Sequence, residues 1–125
     1  YPGFFSPNAM SDTYFGNPDY YNRDRELFKK YVPLCRRAGE AGWEPVTYAT
    51  SDIDTVHAER FGADFLTVFN DGTEAQTVTL KLTGPLAGAT AAAELVTGDA
   101  LTIDTATLTL TLEPGDVAAI ELELP

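Results

Sequence analysis

The chain has 125 residues, with 19 acidic against eight basic side chains, one histidine, one cysteine and a formal net charge of −11. That length suits one domain of ordinary size, and the charge excludes a nucleic-acid binder or a protein docked on an anionic membrane, since both need clustered Lys and Arg. A single cysteine excludes an internal disulfide and a Cys-rich zinc cluster, and no apolar run is long enough to span a bilayer as a helix.

These averages conceal a split. Residues 1–48 hold six basic and six acidic side chains and eleven of the 14 aromatics, whereas 49–125 hold two basic and 13 acidic ones. Two architectures are therefore expected, an aromatic loop with a helix over 1–48 and a second domain over 49–125. The start at Tyr1, with neither an initiator Met nor a signal-peptide pattern, reads as a processed product or a fragment.

Residues 1–22 are broken by Pro2, Gly3, Pro7, Gly16 and Pro18, which favours turns over a regular element. Phe4, Phe5, Tyr14, Phe15, Tyr20 and Tyr21 are too many large rings for a disordered linker, so an ordered, packed loop is expected. A helical period follows over 23–42, with Asn22 as its N-cap and Asp24 and Glu26 in the first turn. Leu27, Tyr31, Leu34 and Ala38 make its apolar face, with Phe28, Val32 and Cys35 beside them. Cys35 is expected to be a buried structural thiol. Pro33 predicts a kink or restart, and Gly39 and Gly42 offer the stop.

Beyond Trp43 the period becomes two. Strands are predicted over 46–51, 56–62, 65–71, 75–83, near 91–97, over 106–113 and over 117–124. Asn70-Asp71-Gly72 predicts a hairpin joining 65–71 to 75–83, and Pro114-Gly115-Asp116 a closing hairpin between the last two strands. The clearest alternation sets Leu108, Leu110 and Leu112 against Thr107, Thr109 and Thr111. The fold class is mainly β, an antiparallel β-sandwich preceded by the aromatic-rich loop and one amphipathic helix. Its acids fall on turns and solvent faces, where they keep edges apart.

Chemistry is sparser. Glycosidase chemistry needs two carboxylates at a set separation, and the candidates in the aromatic half are Asp12, Asp19, Glu40 and Glu44. Asp19 follows Asn17-Pro18 and is flanked by Tyr20 and Tyr21, which is the kind of wall a sugar site uses, although a plain turn residue fits as well. His57 could act as a base beside Glu59 on one strand face, but no nucleophile elbow accompanies it, and a solvent-facing strand histidine is favoured. Glu59 and Arg60 point to opposite faces, so each is expected to pair elsewhere. Asp52 with Asp54, or Asp71 with Glu74, offers too few oxygens for calcium, and neither a metal nor a cofactor is expected. Tyr14, Phe15, Tyr20, Tyr21 and Trp43 could stack on sugar rings, as in a carbohydrate-binding module, whereas the sandwich itself has only Phe61, Phe65 and Phe69.

The order of parts carries a resemblance. A Tyr/Phe-rich loop precedes RDRELFKKYVPLCRRAGEAGWEPVTYA, then VHAERFG, the pair FLTVFND and AQTVTLKLTG, and finally TLTLTLEPGDVAAIELEL. The whole resembles the C-terminal end of a (β/α)8-barrel glycoside hydrolase, broadly of the α-galactosidase and α-glucosidase type. AGWEPVTYA is similar to the passage from the last barrel helix into the appended sandwich, and LEPGDVAAIEL to the ending of such sandwiches. The resemblance implies a non-catalytic portion, inactive alone, whose partner is the remainder of a barrel or a second copy, and the alternatives to it are an independent carbohydrate-binding module and a structural assembly domain. It implies no catalytic residue by motif, and it leaves Tyr14, Asp19 and Tyr20 as the candidates for lining a carbohydrate site. Cytoplasmic and secreted bacterial locations are both compatible with the lack of disulfides.

Overall fold

The computed structural model describes residues 17–125. Two compact units divide between Pro33 and Leu34. A single helix, α1 (Pro18–Ala41), supplies all of the first unit's regular structure among the described residues.

The helix begins earlier than the predicted 23. Asn17 and Pro18 make a complete start signal: the Asn17 Oδ1 accepts the Asp19 N–H at 3.0 Å, and proline at the first helical position has no N–H left to satisfy. Residues 18–22 are therefore helix rather than loop, and the rest of the predicted packed loop, residues 1–16, lies outside the described residues. The helix also continues through Pro33 without restarting. Its covered stripe is Tyr21, Phe28, Tyr31, Leu34 and Ala38, a spacing of three, four and seven. Leu27 and Val32, expected on the apolar face, lie off that stripe and are more than half exposed. Cys35 is likewise exposed instead of buried, because one residue beyond Leu34 turns it about 100° around the axis.

The second unit, Leu34–Pro125, opens with the last turns of α1. Gly42 ends the helix in the left-handed region, φ 85°, with its N–H on the Ala38 carbonyl at 3.0 Å, the single-bond glycine stop. Ten strands follow: β1 (Trp43–Glu44), β2 (Ala49–Ser51), β3 (Val56–Phe61), β4 (Phe65–Asn70), β5 (Gln76–Leu82), β6 (Ala91–Glu94), β7 (Asp99–Leu101), β8 (Ile103–Asp104), β9 (Thr107–Leu112) and β10 (Val117–Glu123). They form two antiparallel sheets, one of six strands in the order β1-β3-β4-β10-β6-β7 and one of four in the order β2-β5-β9-β8. The predicted mainly β, sandwich-type fold is the observed one.

The core lies between the sheets. Leu66, Val68, Ala118, Ile120 and Leu122 of the larger sheet meet Val78, Leu80, Leu82, Leu108 and Leu110 of the smaller. Leu66, Leu80, Leu108 and Ile120 are wholly buried, and each such side chain is worth about 1.5–3 kcal/mol. On its other side the larger sheet carries the end of α1, with Leu34 and Ala38 packed on Phe65 and Ala119. Residues 34–125 thus stack helix end, six-stranded sheet and four-stranded sheet.

Two predicted connections differ. β4 pairs with β3 and β10, and β5 with β2 and β9, so Asn70-Asp71-Gly72 carries the chain from one sheet to the other instead of closing a hairpin. Pro114-Gly115-Asp116 carries it back from β9 to β10 in the same way. The physical reason is Asn70. Its buried Nδ2 donates to the carbonyls of Glu74, Leu112 and Glu113 at 2.9–3.2 Å, and its Oδ1 accepts the Gly72 N–H at 2.9 Å. Its backbone N–H and carbonyl bond Asp116 and Gly115. One side chain thereby satisfies two arches at one end of the sandwich, which a two-residue hairpin could not offer.

The segment predicted as strand over 46–51 is regular only from Ala49. Tyr48 takes φ 56°, and a Cβ on Gly84 would stand 2.7 Å from its ring. Glycine at 84 is what lets Tyr48 lie there.

Candidate functional site

Asp19 and Tyr20, taken from the sequence as loop residues, sit side by side in the first turn of α1. Both are exposed, Tyr20 at 42 %. The helix dipole favours Asp19 there, and the Arg23 guanidinium lies 5.4 Å from the centroid of the Tyr20 ring. Consecutive helical residues diverge by about 100°, so the two do not form one wall by adjacency alone. Tyr14 and Asp12 lie outside the described residues.

The remaining acids of the aromatic half are spoken for. Glu40 pairs with Arg36 at 2.8 Å across one helical turn, and Glu44 lies 3.5 Å from Arg60. His57 is exposed and 4.0 Å from Asp71. Glu59, read as its possible partner, instead accepts the indole N–H of Trp43 at 2.7 Å. Asp52 accepts the backbone N–H of Thr79 at 2.8 Å, which occupies one of the oxygens a calcium site would use. Among the described residues no group of three or more His, Cys, Asp or Glu side chains is gathered where a metal could bind. Arg60 and Glu59 do pair separately on opposite faces, as their alternation requires.

The outer face of the six-stranded sheet is where the structure gathers its polar chemistry, and the sequence did not display it. Arg37, on the last turns of α1, forms an ion pair with Glu121 of β10 and stacks 5.0 Å over the ring of Phe65. The hydrogen bond to Glu121 raises the Arg37 pKa above its ordinary value against the opposing effect of burial, and the same bond lowers that of Glu121. Past Glu121 an open groove of about 490 Å³ runs along β10 and β6. Ala91, Ala92 and Ala93 line it together with the carboxylates of Asp64, Glu121 and Glu123. Such a surface accepts hydrogen bonds and repels anions.

Trp43 and Glu59 lie toward the other edge of the same sheet. β1 is only two residues long, yet it is paired in register with β3, Trp43 opposite Phe61 and Glu44 opposite Arg60. Arg60 is 8 % exposed and clasps this corner. Its Nε donates to the Val46 carbonyl at 2.8 Å, a second nitrogen donates to Gly62, and its plane stacks 5.2 Å from the Tyr48 ring. A buried arginine must be paired and hydrogen-bonded in this way. Alternation predicts that position 60 faces inward but cannot name carbonyl partners in two loops.

Glu94 is the other buried charge among the described residues, 6 % exposed. It receives the backbone N–H groups of Val96, Thr97 and Ala119 at 2.6–3.0 Å. Burial pushes its pKa up, but these bonds and one from the Thr97 side chain prevail and hold it below the ordinary carboxylate value. It is a fastener for the turn between β6 and β7, engaged on all sides, and not a candidate acid. No protein-family model, curated protein or solved structure matches the chain.

Proposed function

We propose that this chain is the C-terminal, non-catalytic part of a (β/α)8-barrel glycoside hydrolase, broadly of the α-galactosidase and α-glucosidase type, in which the sandwich supports a carbohydrate-processing barrel. The observation that carries this reading is the join between helix and sandwich. Leu34, Arg37 and Ala38 of α1 are fastened to Phe65, Ala119 and Glu121, and Gly42 then delivers the chain directly into β1. The end of the helix belongs to the sandwich's outer layer, as the last helix of a barrel with an appended sandwich would.

Barrel enzymes place their chemistry on the loops between strand ends and helix starts. Asp19 and Tyr20, at the start of α1, suit that rim, together with Tyr14 just before it. They would bind sugar hydroxyls and faces, while the catalytic carboxylates would belong to barrel strands. An antibody against this chain tests the proposal by retrieving the native polypeptide from its source. The expected product is larger than 125 residues and cleaves aryl α-galactosides or α-glucosides. A polypeptide of this length alone, or one inactive on every aryl glycoside, overturns it.

A structural assembly domain that binds a second copy of itself is the second reading, favoured by the exposure of Leu27 at 55 % and Val32 at 54 %. The retrieved native polypeptide separates the two, since both allow this chain to associate but only the barrel reading expects cleavage of an aryl glycoside.

A further inference from the structure

Trp43 is the chain's single tryptophan and, at 60 % exposure, the most open large apolar side chain among the described residues. Displaying an indole to water forgoes a large burial energy. The display is also rigid. Its backbone is tied to β3, its ring is pinned by the 2.7 Å bond from Nε1 to Glu59 Oε2, and the corner beneath is clasped by Arg60. A ligand arriving at such a plate meets a group whose ordering cost is already met. Glu59 Oε1 receives no hydrogen bond among the described residues.

We propose that Trp43 and Glu59 form a carbohydrate-binding site. The apolar C–H face of a neutral pyranose stacks on the indole, and one of its hydroxyls donates to Glu59 Oε1. The ligand class follows from three features. A single flat ring suffices for a pyranose, whereas a quaternary cation is held by several rings. The free oxygen is an acceptor, which suits a hydroxyl. Glu59 puts a carboxylate beside the indole, while Glu44 is paired with Arg60 on the opposite face, so uronic acids and sulfated sugars are repelled. The site deepens the carbohydrate reading above and rests on it for its biological setting.

The test titrates the 125-residue chain with cellohexaose, maltohexaose and stachyose while following Trp43 emission, with calorimetry for the variants. A saturable blue shift with at least one of these is expected. Trp43→Ala, checked for its fold by circular dichroism, is expected to weaken binding at least about tenfold. Glu59→Gln keeps an acceptor for the indole but puts an amide donor where the hydroxyl would donate, so its affinity is expected to fall at least about fivefold, and an unchanged affinity overturns the role of Glu59. No saturable change with any of the three sugars, or binding that survives Trp43→Ala, overturns the proposal. So does tetramethylammonium binding that disappears in Glu59→Gln. The retrieved native polypeptide separates the two readings: glycoside cleavage without binding by this chain sinks only the Trp43 site, and binding without a cleaving parent sinks only the barrel.

Discussion

The side-chain amide of Asn70 donates to the main-chain carbonyl of Leu112 at 3.1 Å, so the last residue of β4 in one sheet is bonded to the last residue of β9 in the other. The same amide serves Glu74 and Glu113, and no water-facing group could replace it, since Asn70 is wholly buried. Asn70→Ala is expected to cost about 2–4 kcal/mol, because several buried acceptors lose their donor at once. Asn70→Asp keeps the acceptor for Gly72 and removes the donors, so it should cost as much at neutral pH and recover partly in acid, where the carboxyl can donate. Urea unfolding midpoints at two pH values read both.

Glu94 gives the fold an acid sensitivity of known sign. Its folded-state pKa is lowered, so its contribution is fully present above the unfolded carboxylate value, about 4.3. It is lost as the pH falls through the lower folded value. Glu121, lowered by its bond to Arg37, acts in the same direction. The wild-type chain should therefore lose stability on acidification through that window, and Glu94→Gln should be less stable at neutral pH yet flatter in its pH profile. Thermal unfolding followed from neutral pH down to about pH 3, below the unfolded carboxylate value, measures the slope.

Arg37 holds the helix end to the sheet through two different contacts, and they can be separated. Both partners of the ion pair with Glu121 are more than a third exposed, so its coupling energy should stay below about 1 kcal/mol. The stack on Phe65 belongs to packing. Arg37→Ala should then cost more than Glu121→Ala, and a double-mutant cycle should return only the small coupling term.

Thr105 and Ala106 join β8 to β9 with φ of 47° and 58°. Two consecutive left-handed residues form the favoured two-residue hairpin turn, normally written with Asn and Gly. A β-branched residue and an alanine hold that conformation at a strain of about 1–2 kcal/mol each. The double substitution Thr105→Asn with Ala106→Gly should raise stability by about 1 kcal/mol or more, seen as a higher melting temperature.

Much of the sandwich can be read from the amino acids because alternation reports burial. Leu108, Leu110 and Leu112 are inward and Thr109 and Thr111 outward, as their period of two requires. Alternation says nothing of which sheet a strand joins. For that reason it suggests a hairpin of 65–71 with 75–83 across Asn70-Asp71-Gly72, although the two strands lie in different sheets. The inward polar residues are equally hidden. Arg60 and Glu94 depend on backbone groups of loops, which leave no trace in side-chain pattern. At the helix the stop is legible at Gly42, but Asn22 competes with the stronger start signal Asn17-Pro18. Reading the start at Asn22 leaves Asp19 and Tyr20 in a loop, although they belong to a first helical turn. Trp43 is visible as an aromatic, but its link to Glu59 arises only when a two-residue strand pairs with β3.

The order in which the strands are laid down has a further consequence. The chain enters the larger sheet at β1, leaves it for β2, returns for β3 and β4, and crosses again to β5, back to β6 and β7, over to β8 and β9, and home with β10. Neither sheet is a continuous stretch of polypeptide. A cut at any loop between β2 and β9 leaves both resulting pieces with strands missing from both layers, so neither piece owns a closed core to retain. The sandwich is consequently indivisible. It should unfold in a single step, and it should form only once the last strand, β10, has inserted between β4 and β6.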